Sequence, residues 1–477
     1  MPISSRTARF TTLFFVLLAQ VAWADIINVP GDFPTIQQAI DASVDGDEII
    51  VAPGTYSSAS ILALVDDKAI TLRSSGGAGV TVLEATGIVG IARLANVESD
   101  TVIEGFTFRG VEGVIPNAYV LGIFSGSPVV RDCVFEDNNN SSGIRPVVSG
   151  STMSGTTIIG CIFRNNGTAS VFCTNQETVD LTIEDCAFTG NTIGAANSST
   201  VYLRCSAEVR NCTFDANSNL AGPGGAIFAD GSAGGITIDS CTFTGNTSSE
   251  SGGAIYAAVI TGTAGTTTIS GCEFDGNSAE TAGGVHAFKP TSSSGSVSVT
   301  SSVFTNNTAN DGAGIILEDA STSGCSFISN HASGDAGGIL VLGTECVISD
   351  CDASNNTAGG VGGGLRVPAG ITASITNSVL CDNTPDQYAL DGVLFASALL
   401  VCDQMGPSTG ACCLNDGSCV ELSQATCDAV GGTYQGDDSL CADASCPAPC
   451  FGDANNDGVV DLADLNAVLA AFGQVCP

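Results

Sequence analysis

The sequence predicts an all-β solenoid, a fold in which one short unit is repeated and stacked in a single direction. Three observations point to it. The phrase Cys-x-Phe-x-x-Asn returns every 23 to 31 residues, Gly accounts for 59 of 477 residues, and Thr, Val, Ile and Ser dominate while helix signals are few. A repeat period in this range marks a stacked repeat architecture. Short strands joined by tight bends are therefore expected.

Ten copies of the phrase define the coils. In the last two copies Ala353 and Leu380 take the place of Phe, while Asn356 and Asn383 keep the spacing. With about 26 residues in a coil and coils stacked at the strand spacing of about 4.8 Å, about 13 coils are expected. The copies begin at Cys133, Cys161, Cys186, Cys212, Cys241, Cys272, Ser302, Cys325, Cys351 and Ser378.

Equivalent residues of stacked coils are expected to form columns. A Phe column would fill the interior. An Asn column would lie at a bend, where each amide can bond the same amide above and below and where Asn tolerates left-handed backbone. Gly-Gly pairs would allow a tight arc before the next strand. The expected columns are Phe135, Phe163, Phe188, Phe214, Phe243, Phe274, Phe304 and Phe327; Asn138, Asn166, Asn191, Asn217, Asn246, Asn277, Asn307, Asn330, Asn356 and Asn383; and the pairs beginning at Gly224, Gly252, Gly283, Gly337 and Gly363.

Eight of the copies begin with Cys, which places eight thiols in one column. Stacked neighbours would bring their Cα atoms within disulfide reach, but their side chains would point in parallel. A buried thiol column packed beside the Phe column is therefore favoured over disulfides. Five further cysteines lie off this column and could pair with it, namely Cys173, Cys205, Cys346, Cys381 and Cys402.

Residues 1–24 have the pattern of a secretory signal peptide. Arg6 and Arg9 precede an apolar run, and Ala22-Trp23-Ala24 is a small-x-small cleavage site, so the mature chain is expected to begin at Asp25. No later apolar stretch is long enough to span a bilayer. The protein is therefore expected to be secreted, either extracellular or at the cell surface, with no transmembrane segment after cleavage.

Residues 25–94 are expected to open and cap the solenoid. Ile26-Ile27-Asn28-Val29 has a strand pattern, and Thr35 with Gln38 forms a capping-box pattern at the start of a short helix. A helix placed before stacked strands would cover the first open sheet edge, which otherwise invites pairing with another chain. Residues 95–405 then carry the repeats.

The stretch VPGDFPTIQQAIDASVDGDEIIVAPGTY at 29–56 resembles the opening of right-handed parallel β-helix proteins of the pectin-lyase-like superfamily, and of pectin methylesterases within it. Later copies such as CTFTGNTSSESGGAIYA at 241–257 are similar to the FxxN and GGAI repeats of polymorphic outer-membrane adhesins. The resemblance implies a right-handed parallel β-helix over 25–405 and a surface or extracellular location.

A small cysteine-rich module is expected at 410–446, where six Cys fall within 35 residues. A segment of this size buries little core, so three disulfides are the natural way to stabilise it in an exported protein. The spacing leaves their connectivity open. Metal binding is disfavoured because the segment lacks His.

Residues 452–473 contain a calcium-loop pattern. Oxygen ligands at positions 1, 3, 5, 9 and 12 and a backbone carbonyl at 7 can enclose one Ca²⁺, and Gly458 makes the sharp turn. This segment resembles a dockerin-type loop within an expected unit at 450–477, although a dockerin has two such loops and this chain has one. Cys450 and Cys476 would close the unit as a disulfide. The expected ligands are Asp453, Asn455, Asp457, Val459, Asp461 and Asp464.

The charge balance excludes two classes of partner. With 13 Lys+Arg against 49 Asp+Glu, the formal net charge is −36. Nucleic acids and anionic membranes are both bound by cations, so neither is an expected partner. A polysaccharide or cell-surface glycan remains, together with a protein partner for the dockerin-like unit.

The superfamily includes pectate lyases, polygalacturonases and pectin methylesterases, and the resemblance prompts a search for their motifs. Neither of the two histidines, His286 and His331, lies in a Gly-His-Gly motif. The dipeptide Arg145-Pro146 is the fragment most similar to a lyase motif. Asp66-Asp67 has no matching partner motif. Asp132 and Asp137 with Arg131 could approach Arg164 on the next coil, and a surface ion pair is the simpler interpretation.

The sequence therefore favours a non-catalytic secreted protein that acts in adhesion, glycan binding or extracellular assembly, with a calcium-binding C-terminal unit. The alternative is a carbohydrate-active enzyme, a polysaccharide lyase or glycoside hydrolase, tethered by the dockerin-like tail. Carboxylates along one face could build a glycosidase pair, but spacing does not show one.

Overall fold

The computed structural model describes residues 24–86, 90–110, 119–138, 148–150, 155–174, 180–196, 198–260 and 265–402, with parts of 410–446. The chain divides into two compact units. Unit 1 is Met1–Ala195 with Cys205–Cys212, and unit 2 is Ala196–Arg204 with Thr213–Pro477. In both units each coil supplies one strand to each of three parallel sheets, called here A, B and C in the order in which the chain visits them.

Sheet A precedes the repeat phrase in each coil. In unit 1 its strands are Ile26–Val29, Glu48–Val51, Thr71–Ser74, Val102–Glu104, Val129–Arg131, Thr157–Ile159, Leu181–Glu184 and Ala207–Arg210. In unit 2 they are Gly235–Asp239, Thr266–Ser270, Ser296–Thr300, Ser321–Ser323, Cys346–Ser349, Thr372–Thr376 and Val393–Ser397.

Sheet B contains the repeat phrase itself. In unit 1 its strands are Gly54–Ser58, Thr81–Ala85, Thr107–Arg109, Val134–Glu136, Ile162–Arg164 and Ala187–Thr189. In unit 2 they are Thr213–Asp215, Thr242–Thr244, Glu273–Asp275, Val303–Thr305, Ser326–Ile328, Asp352–Ser354, Val379–Cys381 and Leu400–Val401.

Sheet C follows the glycine turn. In unit 1 its strands are Ala63–Asp66, Ala92–Ala95, Leu121–Ile123, Val148–Gly150 and Val171–Cys173. In unit 2 they are Val201–Leu203, Ile227–Asp230, Ile255–Ala258, Val285–Phe288, Ile315–Glu318, Ile339–Val341, Leu365–Val367 and Tyr388–Leu390. Two-residue strands lie between B and C at Thr192–Ile193, Ser218–Asn219, Thr247–Ser248, Thr308–Ala309, His331–Ala332 and Thr357–Ala358.

The all-β parallel solenoid is confirmed, with about 11 turns, slightly fewer than the expected 13. Terminal strands belong to incomplete turns. Ile26–Val29 is followed by a helix, and no sheet C strand follows Leu400–Val401 within the described residues. That helix spans Ile36–Ala42 and is capped by Thr35, whose hydroxyl accepts from the Gln38 amide at 3.2 Å. The same hydroxyl donates to Gln38 Oε1 at 3.0 Å.

The predicted interior columns are present in both units. Neighbouring Phe rings stack at centroid distances of 4.5 to 4.9 Å, and the column of unit 1 also includes Phe108. Along the column an Asn side chain donates to the Asn one coil on and to a Phe carbonyl, as Asn277 Nδ2 does to Asn307 Oδ1 and to the Phe243 carbonyl, both at 3.0 Å. The last one, Asn383, donates to Gln387 Oε1 and to the Ala353 carbonyl instead, both at 2.8 Å. These hydrogen bonds satisfy the buried side-chain amides that take part in them.

Left-handed backbone does not occur at the column Asn, as the sequence had suggested, but at the residue before it. Asn306 and Ser329 have φ of 55° and 56° and precede Asn307 and Asn330. The residue before each column Cys is left-handed as well, for example Asp185 at 53°. Gly, Asn and Asp are common at these positions because they reach this region at low cost, and Ser takes the position in some coils.

The column cysteines are buried free thiols, as predicted. Cys161 Sγ lies 3.6 Å from the Val130 carbonyl and 3.5 Å from the Ile159 carbonyl, and burial raises the pKa of its thiol. Ser302 takes the same place in its coil and accepts from the Cys272 amide at 3.1 Å.

The sequence left open that the cysteines off the column pair with it, but the four that form disulfides pair with one another instead. Cys173 pairs with Cys205 and Cys381 with Cys402, while Cys346 is a buried free thiol. The column thiols, by contrast, lie among backbone carbonyls, as Cys161 does. The module at 410–446 has the three disulfides expected, Cys412–Cys427, Cys413–Cys446 and Cys419–Cys441. Its described strands are Gly410–Cys413, Cys419–Leu422 and Thr433–Tyr434.

Candidate functional site

The outer face of sheet C in unit 2 carries a row of rings. Strand alternation points Ile227, Ile255 and their equivalents inward, so the next residues face out. Tyr202, Phe228, Tyr256 and His286 are successive partners in register. The first three rings stack at 4.6 and 5.5 Å, and His286 meets the Tyr256 ring edge-on at 5.1 Å.

A groove of about 390 Å³ lies over this row. Tyr202 and Phe228 are only 7% and 8% exposed, so they form an apolar floor with little open ring face. Polar side chains from neighbouring turns make the walls. The lining residues are Tyr202, Arg204, Pro223, Phe228, Glu250, Ser251, Tyr256, Ile260 and His286, all in unit 2.

His286 lies between a hydroxyl and a carboxylate. Its Nδ1 is 2.6 Å from Ser251 Oγ, and its Nε2 is 3.4 Å from Glu318 Oε2. Nε2 is buried and has no hydrogen bond among the described residues, so the Glu318 contact is an ion-pair distance without hydrogen-bond geometry. A neutral ring that accepts from Ser251 at Nδ1 carries its proton at Nε2 and directs it toward Glu318.

The glycine turn positions Ser251. Gly252, which follows it, has φ of +71°, and a Cβ there would lie 2.3 Å from the Ile255 carbonyl oxygen. Gly252 donates to the Thr281 carbonyl at 3.0 Å, so Ser251 and Thr281 are bridged between coils. Only glycine fits this turn, and the turn directs the Ser251 hydroxyl toward His286.

A buried ion pair closes one side of the groove. Asp230 is 1% exposed and lies 3.3 Å from Arg204 Nε. It also accepts from the amides of Ser232 and Ile260, each at 3.1 Å, and from the Ser232 hydroxyl. These bonds satisfy the carboxylate, so we assign Asp230 the role of holding Arg204 in place.

Tyr256 is kept protonated. Burial raises the pKa of its hydroxyl to about 12, and the negative charges of Glu318, Asp230 and Glu250 add to the rise. The hydroxyl is therefore a hydrogen-bond donor throughout the neutral range. The same three carboxylates outnumber Arg204, so the charge around Tyr256 is negative.

Each of the ten lysines and arginines in the described residues already has a partner. Most pair with carboxylates, Lys68 donates to three carbonyls, and Arg93 lies 4.3 Å over the Phe124 ring. Arg131 pairs with Glu104, and Arg164 with Glu136, rather than with Asp132 or Asp137. Arg131 and Arg164 thus form surface ion pairs, as expected, but with carboxylates other than those of Asp132 and Asp137.

The remaining sequence candidates do not converge on the groove. His331 is exposed and bonds Thr357 Oγ1 at 2.6 Å through Nδ1. Asp66 accepts from Asn96 at 2.9 Å in unit 1. Arg145 and the calcium ligands Asp453, Asn455, Asp457, Val459, Asp461 and Asp464 lie outside the described residues. Sequence reasoning missed Ser251 and Glu318, whose only signal was the glycine turn and the coil spacing near His286.

Three thiol positions lie close enough together to suggest a metal site, but they are already bonded. Cys413, Cys419 and Cys446 have sulfur atoms within 4.8 Å of one another. All three belong to disulfides, which removes the thiolates that a metal would need. Among the described residues, no helix is long and apolar enough to cross a membrane.

The sequence model of the family described as "Right handed beta helix region" matches residues 70–274 and 177–362. No curated protein matches the chain. Solved structures with a similar chain path include a PL6 alginate lyase in complex with a trisaccharide, at 11% identity and a TM-score of 0.42, covering 89% of this chain and 95% of that one.

Two further solved structures are similar at the same low level. The A-module of a mannuronan C-5 epimerase from Azotobacter vinelandii has 13% identity and a TM-score of 0.31, with 77% of this chain and 94% of that one covered. The catalytic unit of a GH87 α-1,3-glucanase from Streptomyces thermodiastaticus has 15% identity and a TM-score of 0.36, with 76% and 64% covered. No residue role is carried over from any of them.

Proposed function

Because this chain belongs to the right-handed β-helix family, we propose that it is an extracellular carbohydrate-active enzyme that holds a glycan in the groove over Tyr202 and Tyr256. The observation that carries the proposal is the composition of that groove. An apolar floor is bordered by Arg204, Glu250, Ser251 and His286, which can bond sugar hydroxyls. Concave sites of this kind, with an apolar base and few convergent polar groups, are typical of ligand sites.

The charge of the groove favours a neutral glycan. Glu250, Glu318 and Asp230 all act on Tyr256, and Arg204 is engaged by Asp230. A polyuronate would be repelled unless a cation bridged it to these carboxylates. β-Elimination requires an acidic sugar, so hydrolysis of the glycosidic bond is the favoured reaction of the two classes expected from the sequence. Glu250 is exposed and lines the groove, which makes it the candidate carboxylate for this step.

A second candidate is the non-catalytic role favoured by the sequence, in which the groove only binds glycan. It is favoured by one observation, that neither histidine lies in a Gly-His-Gly motif.

We further propose that Asp453, Asn455, Asp457, Val459, Asp461 and Asp464 bind one Ca²⁺ and that the chain is exported by its first 24 residues.

The two candidates are separated by incubating the mature protein with neutral and acidic polysaccharides, with and without calcium. New reducing ends on a neutral glycan are expected, and they should disappear in Glu250→Gln. The matched control is Glu273→Gln, an exposed glutamate on sheet B that does not line the groove. Binding without new ends would favour the non-catalytic role, and unsaturated-uronate absorbance would show a lyase. If no glycan bound, the proposal would be overturned.

A further inference from the structure

We propose that Ser251 is the nucleophile of an acyl-transfer site that removes ester-linked acyl groups from carbohydrate hydroxyls. Ser251, His286 and Glu318 come from three successive coils of unit 2. Their arrangement is that of a nucleophile, a general base and a group that orients the base. The choice of a carbohydrate ester rests on the proposed function, whereas the ester chemistry rests only on these three side chains.

The first step of the argument is the contact between nucleophile and base. Ser251 Oγ and His286 Nδ1 are 2.6 Å apart, within the range for proton transfer. The second is the other ring nitrogen, which is buried and without a hydrogen bond within the described residues. A buried N–H needs an acceptor, and Glu318 Oε2 at 3.4 Å is in place to become one after a small side-chain movement.

The third step is access. Ser251 and His286 both line the groove, and the His286 side chain is 13% exposed. A substrate ester can therefore reach the hydroxyl while the imidazole stays largely dry. Tyr256 and Phe288 on sheet C lie against the ring, and Glu318 lies at its Nε2. Glu250 and Arg204 line the same groove, and Asp230 is paired with Arg204.

The reaction balances with water as the only co-reactant. Ser251 Oγ bonds to the ester carbonyl carbon while its proton passes to His286 Nδ1, and the carbonyl oxygen becomes an oxyanion. Collapse breaks the bond to the sugar oxygen, which takes the proton from Nδ1 and leaves as an alcohol. Water then attacks the acyl-serine in the same manner, releasing the carboxylic acid and restoring Ser251. Tyr256, whose hydroxyl stays protonated, lines the groove as a donor for the oxyanion.

The unmodified protein is tested first, so that folding of a variant is not in question. A fluorophosphonate probe is expected to add to Ser251, located by peptide mass, and p-nitrophenyl acetate and an acetylated neutral glycan are expected to release acetate. Labelling elsewhere, or no labelling with no acetate release, would overturn the proposal. Acetate release from p-nitrophenyl acetate alone would retain the ester chemistry and reject the glycan assignment.

Variants then assign the roles. Ser251→Ala is expected to lower acetate release by about 10³-fold or more. Thr357→Ala is the matched control, because its hydroxyl makes the same 2.6 Å contact with His331 outside the groove. Glu318 is a positioning residue, so Glu318→Gln should lower kcat with KM unchanged, and Glu318→Asp should restore part of the rate. Equal rates for Ser251→Ala and the unmodified protein would contradict the proposal. If glycan cleavage persists in Ser251→Ala, the proposed function stands independently.

Discussion

The two histidines of this chain make the same contact in two different settings. Each places Nδ1 at 2.6 Å from a hydroxyl one coil away, His286 from Ser251 and His331 from Thr357. His286 is largely buried on sheet C with a carboxylate at its second nitrogen, whereas His331 is exposed on the two-residue strand His331–Ala332. The comparison shows that residue type and local contact do not define a site. A site depends on the face of the coil that carries the residue and on the side chain that the next coil places beside it.

The largest effect expected from this comparison is on ester hydrolysis. His286→Asn should lower the rate of acetate release by about 10³-fold, because the base and its hydrogen bond to Ser251 are removed. His331→Asn should leave the rate unchanged. Both rates are measured with p-nitrophenyl acetate, and thermal unfolding of both variants is followed to show that each is folded. A comparable loss in His331→Asn would remove the distinction between the two settings.

The next largest effect concerns ion pairs, which show the same contrast between a buried and an exposed setting. Arg204→Gln should lower the free energy of unfolding by about 2 to 3 kcal/mol, because it leaves the buried Asp230 carboxylate without its cation. Arg131→Gln should cost less than about 1 kcal/mol, since its pair with Glu104 is partly exposed at 45% and 27%. Urea unfolding of both variants measures the difference, and equal losses would contradict the role given to burial.

A smaller effect is expected at alkaline pH. The folded protein holds the pKa of Tyr256 at about 12, above the ordinary value of 10.0, so folding favours the protonated hydroxyl. This contribution is complete below pH 10 and is lost as the pH rises toward 12, with about 2 kcal/mol lost by about pH 11.5. Tyr256→Phe should lack that decline. Unfolding free energies from pH 8 to 11.5 test this, with Tyr388→Phe on an exposed ring as the control; parallel curves would contradict the assignment.

The smallest effect on the two histidine settings is expected from substitutions in the C-terminal calcium loop. Asp453→Ala with Asp457→Ala should abolish one calcium site and leave both the thermal unfolding of the solenoid and acetate release nearly unchanged. Calcium titration of the double variant against the unmodified chain measures it. Identical titrations would show that the calcium-loop interpretation is wrong.

The sequence predicts the interior of this protein better than its surface. Phe274 and Asn277 could be assigned to columns because the same residue type recurs at each position in the neighbouring coils, and stacking follows directly from the repeat. The left-handed residues were misplaced by one position, since Asn306 and Asn307 are both compatible with a bend by type. Ser251, His286 and Glu318 are 35 and 32 residues apart, and loops of variable length decide which residues of neighbouring coils face one another. Their proximity therefore required the register of sheet C.

The export that we propose for this chain gives the thiol column a consequence for how the chain folds. Nine described cysteines are buried and reduced beside ten that form disulfides. In an oxidising compartment, a chain whose coils are still open exposes all of them to the same oxidant. The native pairing therefore requires that coils close over the column before oxidation reaches it. Growth of the solenoid from its capped N-terminal end would shield each thiol as the next coil is added.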